Sequence, residues 1–373
     1  MVVNLFFNFF VLPLVYKPIM RYNRFTLNQE VSIMITLKEI AQEANVSPMT
    51  VSNVINGNLK RVSKETADRV HAIIKKNNYV PNSAARTLST KSSMMIALCI
   101  ADNFYTDLAN ENYSQSPYNI DMIGIIQHFV EAEGYVLLLC GGETPQEIID
   151  NMKTWKVAGA IFLAGFDSFI PKIEKELGVP TVFLDNVYSD GAISSINIDD
   201  YYGGVLAARF LLNQGHQNLA FASNIIHENP LLELRYKGFL EAHRQKNKDF
   251  DVNCVFNGPI TYEGGIKIGK DIARHPEITG VVATADVLAI GIIEGIRLSG
   301  LSVPDDISII GFDDIPMAKF VSPKLTTIKQ NMLEKGKLTT EELFRLIEDP
   351  KALPARKMLP VEIVERFSTK NLN

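Results

Sequence analysis

Apolar residues recur every three or four positions in three short runs between residues 35 and 74, a period that predicts small amphipathic helices. The three helices can share one small core. Their apolar positions are Leu37, Ile40, Ala41 and Ala44, then Val51, Val54 and Ile55, and finally Ala67, Val70, Ile73 and Ile74.

The residues around these runs indicate where the helices begin. Asn45 lies in the turn between the first two helices. Ser47 can accept backbone N–H groups as the N-cap of the second helix, and Pro48 suits the first helical position, where its missing N–H costs nothing. Ser63, with Thr66 three residues later, marks the start of the third helix. Two short helices joined by such a turn either pack as a simple pair or form a helix-turn-helix, whose second helix enters the major groove of DNA. The hydrophobic pattern alone leaves both interpretations open.

From Met94 onward, continuous apolar runs alternate with helical segments, which is typical of parallel β-sheets. Two successive series of such units predict two doubly wound α/β lobes, with a ligand cleft at the carboxyl ends of their strands. The predicted strands are MMIALCI, YVLLLC, AGAIFLA and PTVFLD in the first series, and NLAFAS, NCVFNG, GVVATA and SIIGFDD in the second.

Composition separates the two regions further. The 373 residues exceed what one core usually fills, and a hydrophobic content of 46% excludes overall disorder. Residues 34–93 carry nine lysines or arginines against four carboxylates, whereas residues 94–373 carry 25 against 37. A basic N-terminal region joined to an acidic body is typical of a DNA-binding protein whose large domain avoids phosphate.

The three cysteines, Cys99, Cys140 and Cys254, are isolated from one another in the sequence. Their odd number and spacing predict neither a disulfide framework nor a zinc site, and they suit the reducing cytoplasm. We expect no metal and no cofactor.

One segment imitates a phosphate-binding loop. Gly264, Gly269 and Lys270 satisfy the pattern G-x-x-x-x-G-K, but Asp271 stands where a magnesium-binding Ser or Thr is required, and no apolar strand directly precedes the segment. A helix is the better interpretation. The dinucleotide fingerprint after a strand and the nucleophile elbow G-x-S-x-G are both missing, so the sequence predicts no enzyme and no catalytic residue.

The segments TLKEIAQEANVSPMTVSNVING, RVSKETADRV and NYVPNSAARTLST resemble the headpiece of the lactose/galactose repressor (LacI/GalR) family over about sixty residues. The resemblance implies an all-α helix-turn-helix headpiece at 34–81, in which Pro48, Met49 and Asn53 face bases and other residues hold phosphates. Because such headpieces begin just before the I-T-L segment, we interpret residues 1–33 as an upstream extension, translated or not, with Met34 as the expected start. The other implied DNA-binding positions are Leu37, Ser47, Thr50, Ser52 and Asn56.

The headpiece departs from the family pattern at two places. Asn53 stands where the commonest motif, T-V-S-R-V, has arginine; asparagine pairs naturally with adenine, whereas arginine suits guanine, so the operator sequence stays open. The loop from Gly57 to Arg61 is one residue longer than usual. Its Lys60 and Arg61 are expected either to contact phosphates or to form a solvated charged loop.

By resemblance, residues 82–93 form a hinge helix and linker. Such a helix folds when two copies meet over the operator centre and insert a leucine between base pairs in the minor groove. Leu88 matches that leucine, Arg86 matches the neighbouring polar position, and Asn82 and Ala85 complete the implied contacts. An ordinary linker is the alternative.

The body, residues 94–373, resembles the same family in LDN, NQGHQNLAFAS, LRYKGF, SVPDDISIIGFDDIP and SPKLTTIKQ. Such bodies are similar to periplasmic sugar-binding proteins, and their chain crosses between the lobes three times. We place the crossings near Ile198, Pro304 and Asn331. The first lobe is then expected to comprise about 94–197 and 305–331, and the second about 198–304 and 332–373.

Candidate effector residues follow from position in the family pattern. Arg235, in LRYKGF, matches an arginine that grips a hydroxyl or carboxylate, and Asp286, in TADVLA, matches an acidic residue that accepts hydrogen bonds from sugar hydroxyls or base nitrogens. A surface ion pair for Arg235 and a helix N-cap for Asp286 are the structural alternatives. Weaker candidates follow predicted strands, and they are Asp185, Asn186, Asp102 and Phe104.

The resemblance implies a homodimeric, ligand-responsive repressor of the cytoplasm that reads a near-palindromic operator and has no membrane partner. The implied effector is a sugar or sugar phosphate that releases DNA. A purine-like corepressor is the alternative within the family. A solute-binding protein is an alternative that the body alone supports and the headpiece argues against.

Overall fold

The computed structural model describes residues 35–55, 57–79, 93–100, 116–142, 144–163, 168–187 and 193–373. Described residues up to 79 form one unit, the headpiece, and those from 93 onward form a second, the body. The predicted N-terminal extension and most of the predicted hinge lie outside the described residues. Within the described residues, no helix is both long and apolar enough to cross a bilayer.

The headpiece contains three α-helices, α1 (Leu37–Glu43), α2 (Pro48–Ile55) and α3 (Lys64–Lys76), and a short 3-10 turn over Leu59–Arg61. The predicted helix starts are confirmed: the Ser47 hydroxyl accepts the N–H of Thr50 at 3.1 Å, and the Ser63 hydroxyl accepts the N–H of Thr66 at 3.2 Å. The three helices bury one shared core. It comprises Ile40, Ala41, Ala44, Val51, Val54, Ala67, Val70 and Ile73.

The first lobe of the body is built on a six-stranded sheet in which every pair of neighbours is parallel. Helices α4 (Pro117–Ala132) and α11 (Met332–Glu348) supply side chains to the core on one face, and α5 (Pro145–Trp155) and α6 (Ile170–Glu176) to the core on the other. In spatial order the strands are β2 (Val136–Cys140), β1 (Met95–Ile100), β3 (Gly159–Leu163), β4 (Thr181–Leu184), β5 (Ser194–Ile198) and β11 (Arg356–Leu359).

The second lobe repeats this plan, with one antiparallel edge strand. Helices α7 (Asp200–Asn213) and α8 (Pro230–Gln245) cover one face of its sheet, and α9 (Tyr262–Ile272) and α10 (Asp286–Leu298) cover the other. The segment that imitates a phosphate loop lies inside α9, as predicted. In spatial order the strands are β7 (Val255–Asn257), β6 (Leu219–Ser223), β8 (Gly280–Ala283), β9 (Ser308–Asp313), β10 (Thr326–Gln330) and β12 (Val361–Val364).

The predicted lobe boundaries are partly wrong. Crossings occur after Ile198 and at Asn331, but Pro304 lies between α10 and β9, both of which belong to the second lobe. The third crossing is at Pro360, between β11 and β12. Residues 305–331 therefore belong to the second lobe, and α11 and β11 to the first. The error has a physical reason: β9 (SIIGFD) and β10 (TTIKQ) are short, largely buried strands, and nothing in such a segment's own sequence indicates which of two parallel sheets it joins.

Two glycines let α7 and α8 approach each other closely. A Cβ atom on Gly204 would lie 2.0 Å from the carbonyl oxygen of Arg235, and one on Gly238 would lie 1.9 Å from that of Tyr201. Such distances are impossible without moving backbone. The contact thus fixes the position of Arg235 relative to α7, whose first turn contains Asp200.

We predict that Gly238→Ala lowers the free energy of unfolding by more than about 2 kcal/mol, because the added methyl group forces the two backbones apart. Gly124→Ala is the matched control. Gly124 lies in α4, and among the described residues no atom beyond its own stretch of helix lies within 4 Å of the position of its added Cβ. Its substitution should stabilise the helix by up to about 1 kcal/mol. Urea unfolding followed by circular dichroism measures both, and equal effects of the two substitutions would contradict the close-packing argument.

Candidate functional site

One face of α2 is open to solvent. Val51 and Val54 are buried in the headpiece core, while Met49 is 69% exposed and Ser52 and Asn53 are half-buried. Because residues three and four apart share a helix face, Met49, Ser52 and Asn53 lie together on the side away from the core. This face, turned away from the core, is the one that the second helix of a helix-turn-helix presents to the major groove.

The first turn of α2 is fixed by hydrogen bonds. Besides capping the Thr50 N–H, the Ser47 hydroxyl lies 2.9 Å from that of Thr50. Pro48 is exposed between them. These three residues therefore hold the end of α2 that would enter a groove. Leu37 differs from them, since its side chain packs against the headpiece core.

The loop after α2 contributes a further basic group. Lys60 is exposed in the 3-10 turn. Two predicted DNA-contacting positions nearby, Asn56 and the side chain of Arg61, lie outside the described residues, as do Asn82, Ala85, Arg86 and Leu88 farther along the chain.

Arg235 is held rigidly in the second lobe. Its Nε donates to Asp200 Oδ1 at 2.8 Å, its Nη1 donates to the carbonyl of Thr284 at 2.5 Å, and its guanidinium carbon lies 3.6 Å from the ring centre of Phe312. The Arg235 side chain is 13% exposed and that of Asp200 is 2% exposed. Burial raises the pKa of Asp200, although the charge of Arg235 opposes that rise. The surface ion pair considered as an alternative is thus a buried pair that joins the first turn of α7 to the second turn of α8.

Asp185 forms a second buried ion pair, in the first lobe. Its carboxylate, just after β4, accepts a hydrogen bond from the Tyr118 hydroxyl at 2.5 Å and another from the ammonium of Lys335. Lys335 lies in the first turn of α11 and has no exposed surface. Burial and the carboxylate of Asp185 raise the pKa of Tyr118 well above its ordinary value. Tyr118 therefore stays a neutral hydrogen-bond donor.

One glutamine connects the two lobes at the Asn331 crossing. Gln330 ends β10 in the second lobe; its Oε1 accepts from Lys335 Nζ at 2.9 Å, and its Nε2 donates to Asp313 Oδ1 at 2.7 Å. Burial raises the pKa of Asp313 to about 6, and the charges of Arg235 and Lys335 oppose the rise. Asp313 and Asp185 thus belong to one electrostatic network with the two cations.

Two aspartates of this region, at the ends of β4 and β9, have an unusual backbone conformation. Asp185 has φ 50° and Asp313 has φ 116°, both left-handed values that are uncommon for residues other than glycine. Such conformations cost about 1–3 kcal/mol each and cluster at functional sites. The carboxyl ends of β4 and β9 therefore carry strained aspartates with charged partners.

The side-chain amide of Asn186 is buried but makes no hydrogen bond to the described residues. Its side chain is 4% exposed, and neither its Nδ2 nor its Oδ1 has a hydrogen-bond partner among the described residues. A buried amide left without partners is costly, so a ligand hydroxyl that donates to one atom and accepts from the other would be favourable. The neighbouring candidates Asp102 and Phe104 lie outside the described residues.

Asp286 is placed differently from the other candidates. It has no exposed surface, its Oδ2 accepts the Ile315 N–H at 2.9 Å, and its Oδ1 accepts from the Thr327 hydroxyl at 2.5 Å. Burial raises the pKa of Asp286 well above its usual range, and the Asp313 carboxylate adds to the rise. Asp286 is the first residue of α10, after its N-cap Ala285. It ties α10 to β10 and to the segment after β9.

We call the charged side chains that Gln330 links where the lobes meet the cleft network; its ions are Arg235, Lys335, Asp185, Asp200 and Asp313. Several of its residues were not singled out from the sequence. Asp313 carries a usable signal, since it ends a predicted strand in SIIGFDD, and Asp200 follows shortly after another strand. Lys335 carries none, because it lies among charged residues in LEKGK, a pattern typical of a solvated helix face. The other members are Tyr118, Gln330, Thr284 and Phe312.

Comparison with known families gives two matches within the chain. Residues 36–82 match the family of bacterial regulatory proteins, lacI family, and residues 208–369 match a periplasmic binding protein-like domain. The first match spans the headpiece helices and the second lies within the body.

Similar proteins and structures cover almost the whole chain. The ribose operon repressor of Halalkalibacterium halodurans is 32% identical over 343 residues, covering 90% of this chain and 98% of that protein. The HTH-type transcriptional repressor PurR of Glaesserella parasuis serovar 5 is 28% identical, covering 91% of this chain and 100% of that protein.

Among solved structures, the lac repressor dimer bound to operator and the anti-inducer ONPF is similar, with a TM-score of 0.77 and 26% identity, covering 90% of this chain and 99% of that one. Three findings support the same family: the headpiece match, the binding-protein-like match, and a relative of 32% identity that spans both units. The chain therefore belongs to the lacI family of bacterial regulatory proteins.

Proposed function

We propose that this chain is a homodimeric repressor that binds a near-palindromic DNA operator through two headpieces and is released by a small effector bound between the lobes of its body. One observation carries the proposal: the same chain contains both a headpiece and a body. The headpiece exposes Met49 on α2, and the body has charged side chains and strained aspartates where its lobes meet. Binding of DNA and of effector is then reciprocally coupled.

The proposed effector is a sugar or sugar phosphate. The ribose operon repressor supports a sugar, while the PurR relative keeps a purine-like corepressor as the alternative. Arg235, Asp185 and Asn186 are the proposed contacts, since a guanidinium fork, a carboxylate and an unpartnered amide all suit hydroxyl groups. A regulator of this kind works in the cytoplasm, where its DNA is, and needs no catalytic residue.

Selection of bound duplexes from a random pool, using the full chain, tests the proposal. We expect a near-palindrome, because two identical headpieces read two half-sites. Repeating the selection with candidate sugars identifies the effector as the compound that releases DNA. Failure to enrich any sequence, together with the absence of salt-dependent binding to duplex DNA, would rule out the regulator and favour a solute-binding protein.

We predict that Asn53→Ala weakens binding to the selected operator by about 1–3 kcal/mol, because a base contact is lost, and leaves binding to a scrambled duplex unchanged. Lys60→Ala is the comparison variant. If Lys60 contacts a phosphate, its loss weakens binding to both duplexes and reduces the slope of log K against log salt by about 1. Fluorescence anisotropy from low to moderate salt measures both effects. Equal losses on the two duplexes in Asn53→Ala would contradict a base-reading role.

We predict that Arg235 and Asp286 respond differently to substitution. Arg235→Lys keeps the charge but loses the planar fork, so about tenfold or more effector should be needed to release the operator. The Asp286→Asn variant should need less than about threefold more effector for release, because the Asp286 carboxylate is buried and bonded to Ile315 and Thr327 and is therefore not available to a ligand. Titration of the operator complex with effector measures both. An Asp286→Asn protein with unchanged melting temperature but about tenfold weaker response would place Asp286 in contact with the effector.

A further inference from the structure

Most charged groups of the cleft network form ion pairs with one another. Arg235 pairs with Asp200 at 2.8 Å, and Lys335 pairs with Asp185. The third carboxylate, Asp313, receives its hydrogen bond from the neutral amide of Gln330. With two cations against three carboxylates, any surplus charge of the network is negative.

The cations also have few hydrogens left for a ligand. Lys335 Nζ contacts the Tyr118 hydroxyl, Asp185 Oδ1 and Gln330 Oε1, so each of its N–H bonds already has an acceptor. Arg235 gives one N–H to Asp200 and one to the Thr284 carbonyl, which leaves only the rest of its fork. A phosphate group would therefore depend on this one guanidinium, whose charge is already paired with Asp200.

What the cleft does offer is suited to hydroxyl groups. Carboxylate oxygens accept from a hydroxyl, the remaining Arg235 N–H groups donate to one, and the buried Asn186 amide, which lacks a partner among the described residues, can do both. A hydroxyl can donate and accept at once without adding charge. An anion brought beside Asp313 and Asp185 is repelled instead, and the repulsion is strong because these side chains are desolvated.

The nearby basic residue Lys329, next to Gln330, adds no free cation to the network, because it is paired with Glu362 at 2.8 Å and its side chain is 42% exposed.

We propose that the effector of this chain is an uncharged, hydroxyl-rich molecule, and that phosphorylated or carboxylated relatives of it are rejected by the carboxylates of the cleft. The inference rests on the proposed function and narrows it, since a sugar phosphate is excluded. Rejection by a placed like charge is an efficient source of specificity, because it penalises the wrong ligand without weakening the right one.

The test compares neutral sugars with their own phosphate esters on the full chain bound to its selected operator. The pairs are ribose and ribose 5-phosphate, glucose and glucose 6-phosphate, and fructose and fructose 1-phosphate, with inorganic phosphate as a further probe. Calorimetry gives affinity and anisotropy gives release of DNA. We expect at least one neutral sugar to bind and release DNA, and its ester to bind about tenfold or more weakly.

Equal or tighter binding of an ester, binding of inorganic phosphate, or release by no neutral sugar while operator binding is intact would overturn the inference. A chain that binds no operator at all would instead refute the proposed function, so the two failures are distinguishable.

A matched pair of variants tests the charge itself. Asp313→Asn removes the surplus carboxylate, and asparagine tolerates the left-handed backbone at this position. The ratio of neutral to ester affinity should fall by about threefold or more. Asp305→Asn makes the same change in net charge on a side chain that is 75% exposed, and it should leave the ratio unchanged. An unchanged ratio in Asp313→Asn of normal melting temperature would overturn the role of Asp313; if that variant does not fold, the wild-type comparison decides.

Discussion

A lysine ammonium with no exposed surface is the constraint on which the cleft depends. Burying a charge costs several kcal/mol unless an opposite charge and hydrogen bonds replace the lost water. At Lys335 that replacement comes from Asp185, Tyr118 and Gln330. Removing any one of them leaves a buried polar group without a partner. These side chains are therefore fixed together, and with them the end of β4, the start of α4 and the crossing from β10 to α11.

The same network connects the two lobes of the body. Gln330 bonds Lys335 of the first lobe with one end of its amide and Asp313 of the second lobe with the other. Asp313 in turn interacts electrostatically with Arg235, which the close contact of α7 and α8 holds in place. A ligand bound at Arg235, as proposed, would change the electrostatic environment of side chains in the first lobe. Such a contiguous polar chain is a physical basis for coupling between the lobes.

Local features were predictable because their causes are local. Ser47 caps α2 and Ser63 caps α3 in the structure, since a hydroxyl within three residues can satisfy the first free N–H groups of a helix. The strands β1, β3, β6 and β8 were predictable for a similar reason, because fully buried parallel strands are continuous apolar runs. Which sheet a strand joins is not a local property. Residues 305–331 were consequently assigned to the wrong lobe, and the crossing at Pro360 was missed.

The sequence by itself determined the class of the molecule: a basic three-helix headpiece with the motif of the lacI family, followed by an acidic body of two α/β lobes. It also identified Arg235, Asp185 and Asn186 from their positions. Only the tertiary structure decided the burial and the hydrogen-bond partners of those residues. It separated Asp286, which is bonded inside the second lobe, from the strained aspartates of the cleft, and it turned Lys335 from an apparent surface charge into a buried one. The physical reason is that burial and charge pairing arise between residues as far apart as Asp185 and Lys335, and no spacing along the chain records such contacts.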